Sequence, residues 1–88
     1  MYFTYILRCS DGTFYTGYTN NLNNRIITHN NKLGAKYTRG RTPVELIYYE
    51  CYSTKSLAMK REYSIKKLTK KEKFILVKNK KISIIKNG

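Results

Sequence analysis

The stretch Tyr2–Tyr18 constrains this chain more than any other. Tyr2-Phe3-Thr4-Tyr5-Ile6-Leu7-Arg8 is dense in aromatic and β-branched residues and reads as a strand. Ser10-Asp11-Gly12 reads as a turn, because Asp starts turns well and Gly accepts a positive φ. Thr13–Tyr18 is the returning strand. A connection this tight makes the two strands antiparallel. Its length then decides which side chains meet. A two-residue turn at Asp11-Gly12 pairs Tyr5 with Tyr18 and puts Tyr5 and Tyr15 on opposite faces. A three-residue loop with Gly12 in a bulge pairs Tyr5 with Gly17 and Leu7 with Tyr15. Only in that register do the two tyrosines share a face.

The rest of the chain supplies helices and one more strand. Asn20 or Asn21 offers an N-cap for a helix running to about Asn31, with Leu22, Ile26 and Asn30 on one face. Residues 32–43 hold Gly34, Gly40 and Pro43 without a clear period and read as a loop. Val44–Cys51 is a third strand. Ser53 or Thr54 caps a second helix that reaches about Leu68, its apolar face carrying Leu57, Ile65, Leu68 and the stem of Arg61. Thr69-Lys70-Lys71-Glu72 fits a capping box for a third helix, expected to add Phe74, Ile75 and Leu76 or Val77 to the core. Lys80–Gly88 alternates weakly and suits an edge strand, a helical extension or a frayed end. The order β-β-α-β-α-α, with apolar residues on both strand faces, predicts an α+β fold. A small central mixed or antiparallel three-stranded sheet is flanked by helices on both sides. Residues 1–78 read as one domain and 79–88 as a short basic C-terminal tail.

Length and charge narrow the function. A chain of 88 residues has room for one modest core and one site. No apolar run approaches the roughly 20 residues of a spanning helix, and Met1–Tyr5 carries no signal-peptide pattern, so a cytoplasmic protein without membrane contact is expected. Eighteen Lys and Arg against five Asp and Glu give a net charge of +13, concentrated beyond residue 52. Such a field seeks a polyanion. Part of the lysine excess accompanies many Ile and Asn, a composition typical of AT-rich coding, so the sign of the field carries more weight than any single lysine. Cys9 and Cys51 form no C-x-x-C pair, and with one His they make a poor zinc set; two reduced thiols are expected, a disulfide only if their strands are neighbours.

Several chemistries are excluded. The chain holds no Gly-x-Ser-x-Gly, no phosphate loop and no His near either Cys in sequence. Its five acids, Asp11, Glu45, Glu50, Glu62 and Glu72, are too scattered for a two-metal nuclease. A phosphodiesterase built from this chain must work with one carboxylate and one metal, leaving the remaining work to Tyr, Arg and His. Those residues are present: Tyr5 in mid-strand, Tyr15-Thr16-Gly17 on the next strand, Arg25 and His29 four apart on one helix face, and Glu62 at the border of the next helix's apolar face.

In order and spacing this constellation resembles the GIY-YIG nuclease superfamily, in particular its small stand-alone bacterial members. The first motif is Phe3-Thr4-Tyr5-Ile6-Leu7, which keeps the tyrosine but not the usual Gly-Ile, and the second is Tyr15-Thr16-Gly17. The helix with Arg25 and His29, the loop Gly34–Arg41, and Ala58-Met59-Lys60-Arg61-Glu62 followed by Ile65-Lys66-Lys67-Leu68 complete a match over about residues 2–78. A late Asn common in relatives has no counterpart here, and Tyr18 stands where some relatives carry lysine.

The resemblance implies a metal-dependent endonuclease acting on DNA, with Tyr5, Tyr15, Arg25, His29 and Glu62 as catalytic residues. Tyr15 or Tyr5 would polarise or deprotonate the attacking water, Arg25 would face the developing phosphoryl charge, and His29 would assist the base or bind phosphate. Glu62 would hold one Mg²⁺ or Mn²⁺, with no small-molecule cofactor. Gly17 would let backbone approach the substrate. Lys36, Tyr37, Arg39 and Arg41 interleave an aromatic with cations and suit nucleic-acid contact, as do Lys66 and Lys67. DNA is expected over RNA, and a monomer over an oligomer. The competing reading is a nucleic-acid-binding module that keeps the fold with little or no cleavage, and a third is an RNA- or ribosome-associated protein using only its basic field.

Overall fold

The computed structural model describes residues 1–79 and the pairing of residues 85–86. Strands β1 (Tyr2–Arg8) and β2 (Phe14–Thr19) are followed by helices α1 (Leu22–Asn30) and α2 (Lys36–Arg39). Strand β3 (Glu45–Tyr52), helices α3 (Lys55–Lys66) and α4 (Lys70–Lys78), and the short β4 (Ile85–Lys86) complete the order. The sheet runs β2-β1-β3-β4, antiparallel among the first three and parallel where β4 meets Cys51 and Tyr52. This is the α+β architecture expected from the sequence. Of the proposed tail, residues 80–84 and 87–88 lie outside the described residues.

The hairpin takes the three-residue loop. Gly12 sits at φ +82°, its N–H donating to Cys9 O at 2.9 Å, while Cys9 N–H donates to Thr13 O at 2.8 Å. The Asp11 carboxylate stiffens the turn by accepting from Thr13 N and Oγ1 at 3.1 and 2.6 Å. Tyr5 consequently pairs with Gly17 and Leu7 with Tyr15, so both phenols lie on one side of the sheet.

Each face of the sheet has its own core. Tyr5, Leu7, Cys9 and Val44 pack with Tyr15, Leu22, Ile26 and Leu46 beneath α1. On the opposite face Ile6, Tyr48 and Ile65 pack with Phe14, Ile47, Leu68, Leu76 and Val77 beneath α3 and α4. Cys9 and Cys51 are both buried free thiols. Among the described residues no helix is long and apolar enough to cross a membrane.

Polar clamps orient the helices. Asn21 caps α1 by accepting from Asn24 N at 3.1 Å. Asn30 at its far end holds both backbone groups of Val44, accepting from N at 2.7 Å and donating to O at 3.3 Å. Thr54 caps α3, and the buried Thr4 hydroxyl donates to Ala58 O at 2.7 Å. One turn on, Arg61 binds Glu50 of β3 through two bonds, Nε to Oε1 at 2.9 Å and Nη2 to Oε2 at 3.1 Å. Glu50, only 3% exposed, also accepts from the hydroxyls of Tyr48 and Tyr52. Burial pushes its pKa up, but Arg61 and the two phenols outweigh that and hold it below the usual carboxylate range.

Three sequence expectations are corrected here. The segment 32–43 is not all loop: Lys36–Arg39, free of breakers between Gly34 and Gly40, closes one helical turn. Phe74 and Ile75 face solvent while Leu76 and Val77 enter the core, because four consecutive apolar residues span more than one face of a helix. Arg61 contributes a charge pair to the sheet rather than only an apolar stem. The Thr69/Glu72 capping box forms as expected.

Replacing Glu50 with Ala strands two buried phenols and a guanidinium. The expected loss is about 3 kcal/mol, the low end for a broken buried pair, since Arg61 retains a route to water. Urea unfolding of wild type and Glu50→Ala measures it, and Glu50→Gln is expected to lose less.

Candidate functional site

The site is assembled around one buried phenol. Tyr5, at 1% exposure, lies in the middle of the central strand, with its ring over Gly17. A Cβ on Gly17 would stand 2.6 Å from Tyr5 Oη and 3.1 Å from Tyr15 Cε2, so only glycine leaves room for both rings. The Tyr5 hydroxyl is 2.9 Å from His29 Nε2. His29, fully buried on the inner face of α1, places Nδ1 2.8 Å from Thr38 Oγ1 of α2.

Counting hydrogens along this chain fixes the tautomer. Thr38 has one hydroxyl hydrogen and donates it to Ala35 O at 2.9 Å. Its oxygen therefore accepts from His29 Nδ1–H, which leaves Nε2 as the acceptor for the Tyr5 O–H. Burial and the field of Arg25 push the His29 pKa down to about 4, so the ring is neutral at pH 7. Gly34 is the lid of this arrangement: a Cβ there would come within 2.4 Å of His29 Nδ1.

Electrostatics bring the remaining residues to the same point. Burial raises the Tyr5 pKa to about 12; Arg25 opposes that shift by hydrogen bonding and charge, while Tyr15 and Glu62 reinforce it. Glu62 thus acts on Tyr5 from α3, which packs on the other face of the sheet. The Tyr15 ring lies 6.4 Å from that of Tyr5 and edge-on to His29 at 5.3 Å, and it is half-buried rather than enclosed. Tyr5, Tyr15, Arg25 and His29 therefore meet on one face of the sheet, and Glu62 reaches Tyr5 through its charge from the helix on the other face.

The residues assigned to nucleic-acid contact fare differently. Gly17 lies under the two phenols. Lys36 and Arg39 project from α2 into solvent. Tyr37 stacks on Tyr15 at 6.0 Å and carries the Arg41 guanidinium 4.1 Å from its ring centre. Arg41 also donates to Asp11 Oδ2 at 2.9 Å and Tyr37 O at 2.8 Å. Tyr37 and Arg41 are therefore engaged in an internal stack that ties the hairpin turn to α2. Lys66 pairs with Glu62 at 3.2 Å, and Lys67 lies 4.2 Å over the exposed Tyr63 ring. Sequence reasoning missed Thr38, whose hydroxyl sets the histidine, and Gly34. The only sequence signal for either was a Gly and a Thr in a loop that had no period.

A divalent cation fits this donor set in one form only. Among the described residues no three His, Cys, Asp or Glu side chains gather into a ligand cluster. Glu62 offers a half-buried carboxylate whose charge is felt at Tyr5, and it suits a hard cation completed by water and substrate oxygens.

A sheet that packs two tyrosines against a helix carrying Arg25 and His29, with Glu62 on α3, has the organisation of a GIY-YIG catalytic domain. Residues 1–75 match the GIY-YIG catalytic domain, and the chain belongs to that family. Within it the chain is similar to small bacterial proteins named UPF0213. It is 55% identical over 82 residues to UPF0213 protein CPE1444 of Clostridium perfringens, covering 93% of this chain and 88% of that one. A UPF0213 protein of Bacillus pumilus is 49% identical over 81 residues, covering 92% and 83%. The solution structure of UPF0213 protein BH0048 from Bacillus halodurans aligns with a TM-score of 0.59 at 44% identity, covering 91% of this chain and 86% of that chain.

Two outcomes test the site's geometry. His29 binds its proton less readily in the fold than the usual value of 6.5 and titrates at about 4. The unfolded chain therefore holds more protons between those values, and stability falls by up to about 3 kcal/mol as pH drops through that window. Urea midpoints from pH 7 to pH 4 should show this slope in wild type and lose that component in His29→Gln. Gly34→Ala is expected to cost about 1–3 kcal/mol by overpacking and to shift the His29 ring nitrogens in ¹⁵N NMR spectra.

Proposed function

We propose that this protein is a divalent-metal-dependent endonuclease that hydrolyses phosphodiester bonds in DNA. The observation that carries the reading is the packing of Tyr15 and His29 against the Tyr5 phenol, with the charges of Arg25 and Glu62 acting on it. Membership of the GIY-YIG family and the net charge of +13 support a nucleic-acid substrate.

The two phenols take different roles because their exposure differs. Tyr5 is enclosed and already donates its proton to His29, so it positions and polarises from within. Tyr15 is the phenol that reaches the surface, and its hydroxyl orients the attacking water by hydrogen bonding. Neutral His29, held by Thr38, keeps a lone pair on the Tyr5 hydroxyl and fixes the orientation of that phenol. Arg25 faces the charge that develops on the phosphoryl oxygens. Glu62 would hold the metal ion, with the pairing to Lys66 giving way when it binds. When bound, the ion supplies Lewis-acid stabilisation of the phosphate and the leaving oxygen.

The Lys66–Glu62 pair also favours a second reading, a module that binds nucleic acid with little or no cleavage, in which the carboxylate stays occupied by the lysine. One experiment separates the two. Plasmid and branched DNA are incubated with Mg²⁺ or Mn²⁺. The nuclease reading expects nicking that falls about 100-fold or more in Glu62→Ala, Arg25→Ala and Tyr15→Phe. Binding without any cleavage by wild type in either metal supports the module instead.

A further inference from the structure

A polar hollow of about 430 Å³ opens beside the site, where α1 and α3 both begin. Tyr2, Tyr18, Thr19, Asn20, Arg25 and Lys55 line it. Three features characterise it. Its lining holds two cations and no carboxylate. Those cations are uncompensated: the ion pairs among the described residues are Arg8–Glu45, Arg41–Asp11, Arg61–Glu50 and Lys66–Glu62, and neither Arg25 nor Lys55 takes part. The remaining lining side chains are phenols, a hydroxyl and an amide, every one able to donate a hydrogen bond. Arg25 is also the cation that acts on Tyr5 and His29, so the hollow is continuous with the proposed reaction centre through a single guanidinium.

Two unpaired cations around a concave, donor-lined space are suited to an oxyanion with several acceptor oxygens. We propose that the hollow is a subsite for a backbone phosphate next to the scissile one, with Lys55 as its dedicated ligand and Arg25 shared between the two phosphates. The subsite rests on the nuclease reading for its place beside a scissile bond. Its consequence is a length requirement: a substrate must extend beyond the cleaved bond, so the protein acts on polynucleotides and discriminates against small diesters with a single phosphate. Tyr18 keeps the hollow polar without adding a third charge.

The test separates this subsite from cleavage. Metal-free protein carrying Glu62→Gln is titrated with a fluorescein-labelled DNA duplex by anisotropy at several salt concentrations. Adding Lys55→Ala should weaken binding about 10-fold at low salt and reduce the salt slope by about one counterion, and Lys55→Arg should restore both. Melting by circular dichroism should show Lys55→Ala folded as wild type, as expected for an exposed first-turn side chain. Inorganic phosphate is the second probe. It should shift the amide signals of Thr19, Asn20 and Lys55 in ¹⁵N spectra and compete with the duplex. An unchanged salt slope in Lys55→Ala overturns the proposal. So do phosphate-induced shifts without competition, which describe a free-anion site. Wild-type protein that passes these tests but cuts nothing with Mg²⁺ or Mn²⁺ removes the nuclease reading and leaves the phosphate subsite standing.

Discussion

The hydrogen bond between Tyr5 and His29 joins the central strand to α1 inside the protein, and the candidate site is organised around it. A phenol and an imidazole buried together are tolerable only if both satisfy their polar atoms. Thr38 meets that demand by accepting from Nδ1, and α2 exists in the place where it can do so. Gly17 and Gly34 clear the space on either side, one for the Tyr5 ring and one for the His29 ring. The result is a rigid inner wall against which the more exposed Tyr15 is held. A rigid wall matters for phosphoryl transfer, where most of the catalytic effect is positioning and preorganised charge.

On the far side of the sheet the Glu50 cluster has the complementary task. Glu62 lies on a helix that packs on the face opposite the phenols, so the rotation and height of α3 decide whether its carboxylate reaches them. Arg61, the residue before it, is tied by two bonds to a buried carboxylate on β3, and Ala58 is tied by its carbonyl to Thr4 on β1. These clamps come from the two strands that flank the centre of the sheet, and they leave α3 no freedom to roll. The fold thus spends its buried polar groups on the two helices that carry the candidate chemistry, and leaves α4, which carries none of it, to apolar packing and its cap.

Much of this was legible before any coordinates. The hairpin, the Asn21, Thr54 and Thr69 caps and the order of elements follow from local propensities, and local propensities act over a few neighbouring residues. The five chemistry-bearing residues stood out through the order and spacing of the motifs that resemble the GIY-YIG family, helped for Glu62 and His29 by the scarcity of acids and histidine. The role of Gly34, the helix of Lys36–Arg39 and the pairing of Arg61 with Glu50 did not stand out. Each depends on what lies across the fold, at separations that periodicity does not sample. Tyr37 and Arg41 illustrate the same limit from the other side. Their spacing reads as a surface built to grip a strand, and it gives no hint that Arg41 also donates to Asp11 and that Tyr37 stacks on Tyr15 while both stay partly exposed.

The amino-acid sequence by itself determined the hairpin and its candidate registers, the helical segments, the basic field and the identity of the reactive side chains, because these are properties of single residues and their near neighbours. Tertiary structure alone decided which neutral form His29 adopts, which phenol is enclosed and which reaches the surface, and that Arg25 and Lys55 border one hollow without an acid to neutralise them. Those outcomes are set by desolvation and by distances between groups remote in the chain, and such quantities take a value only once the layers of the fold have closed on one another.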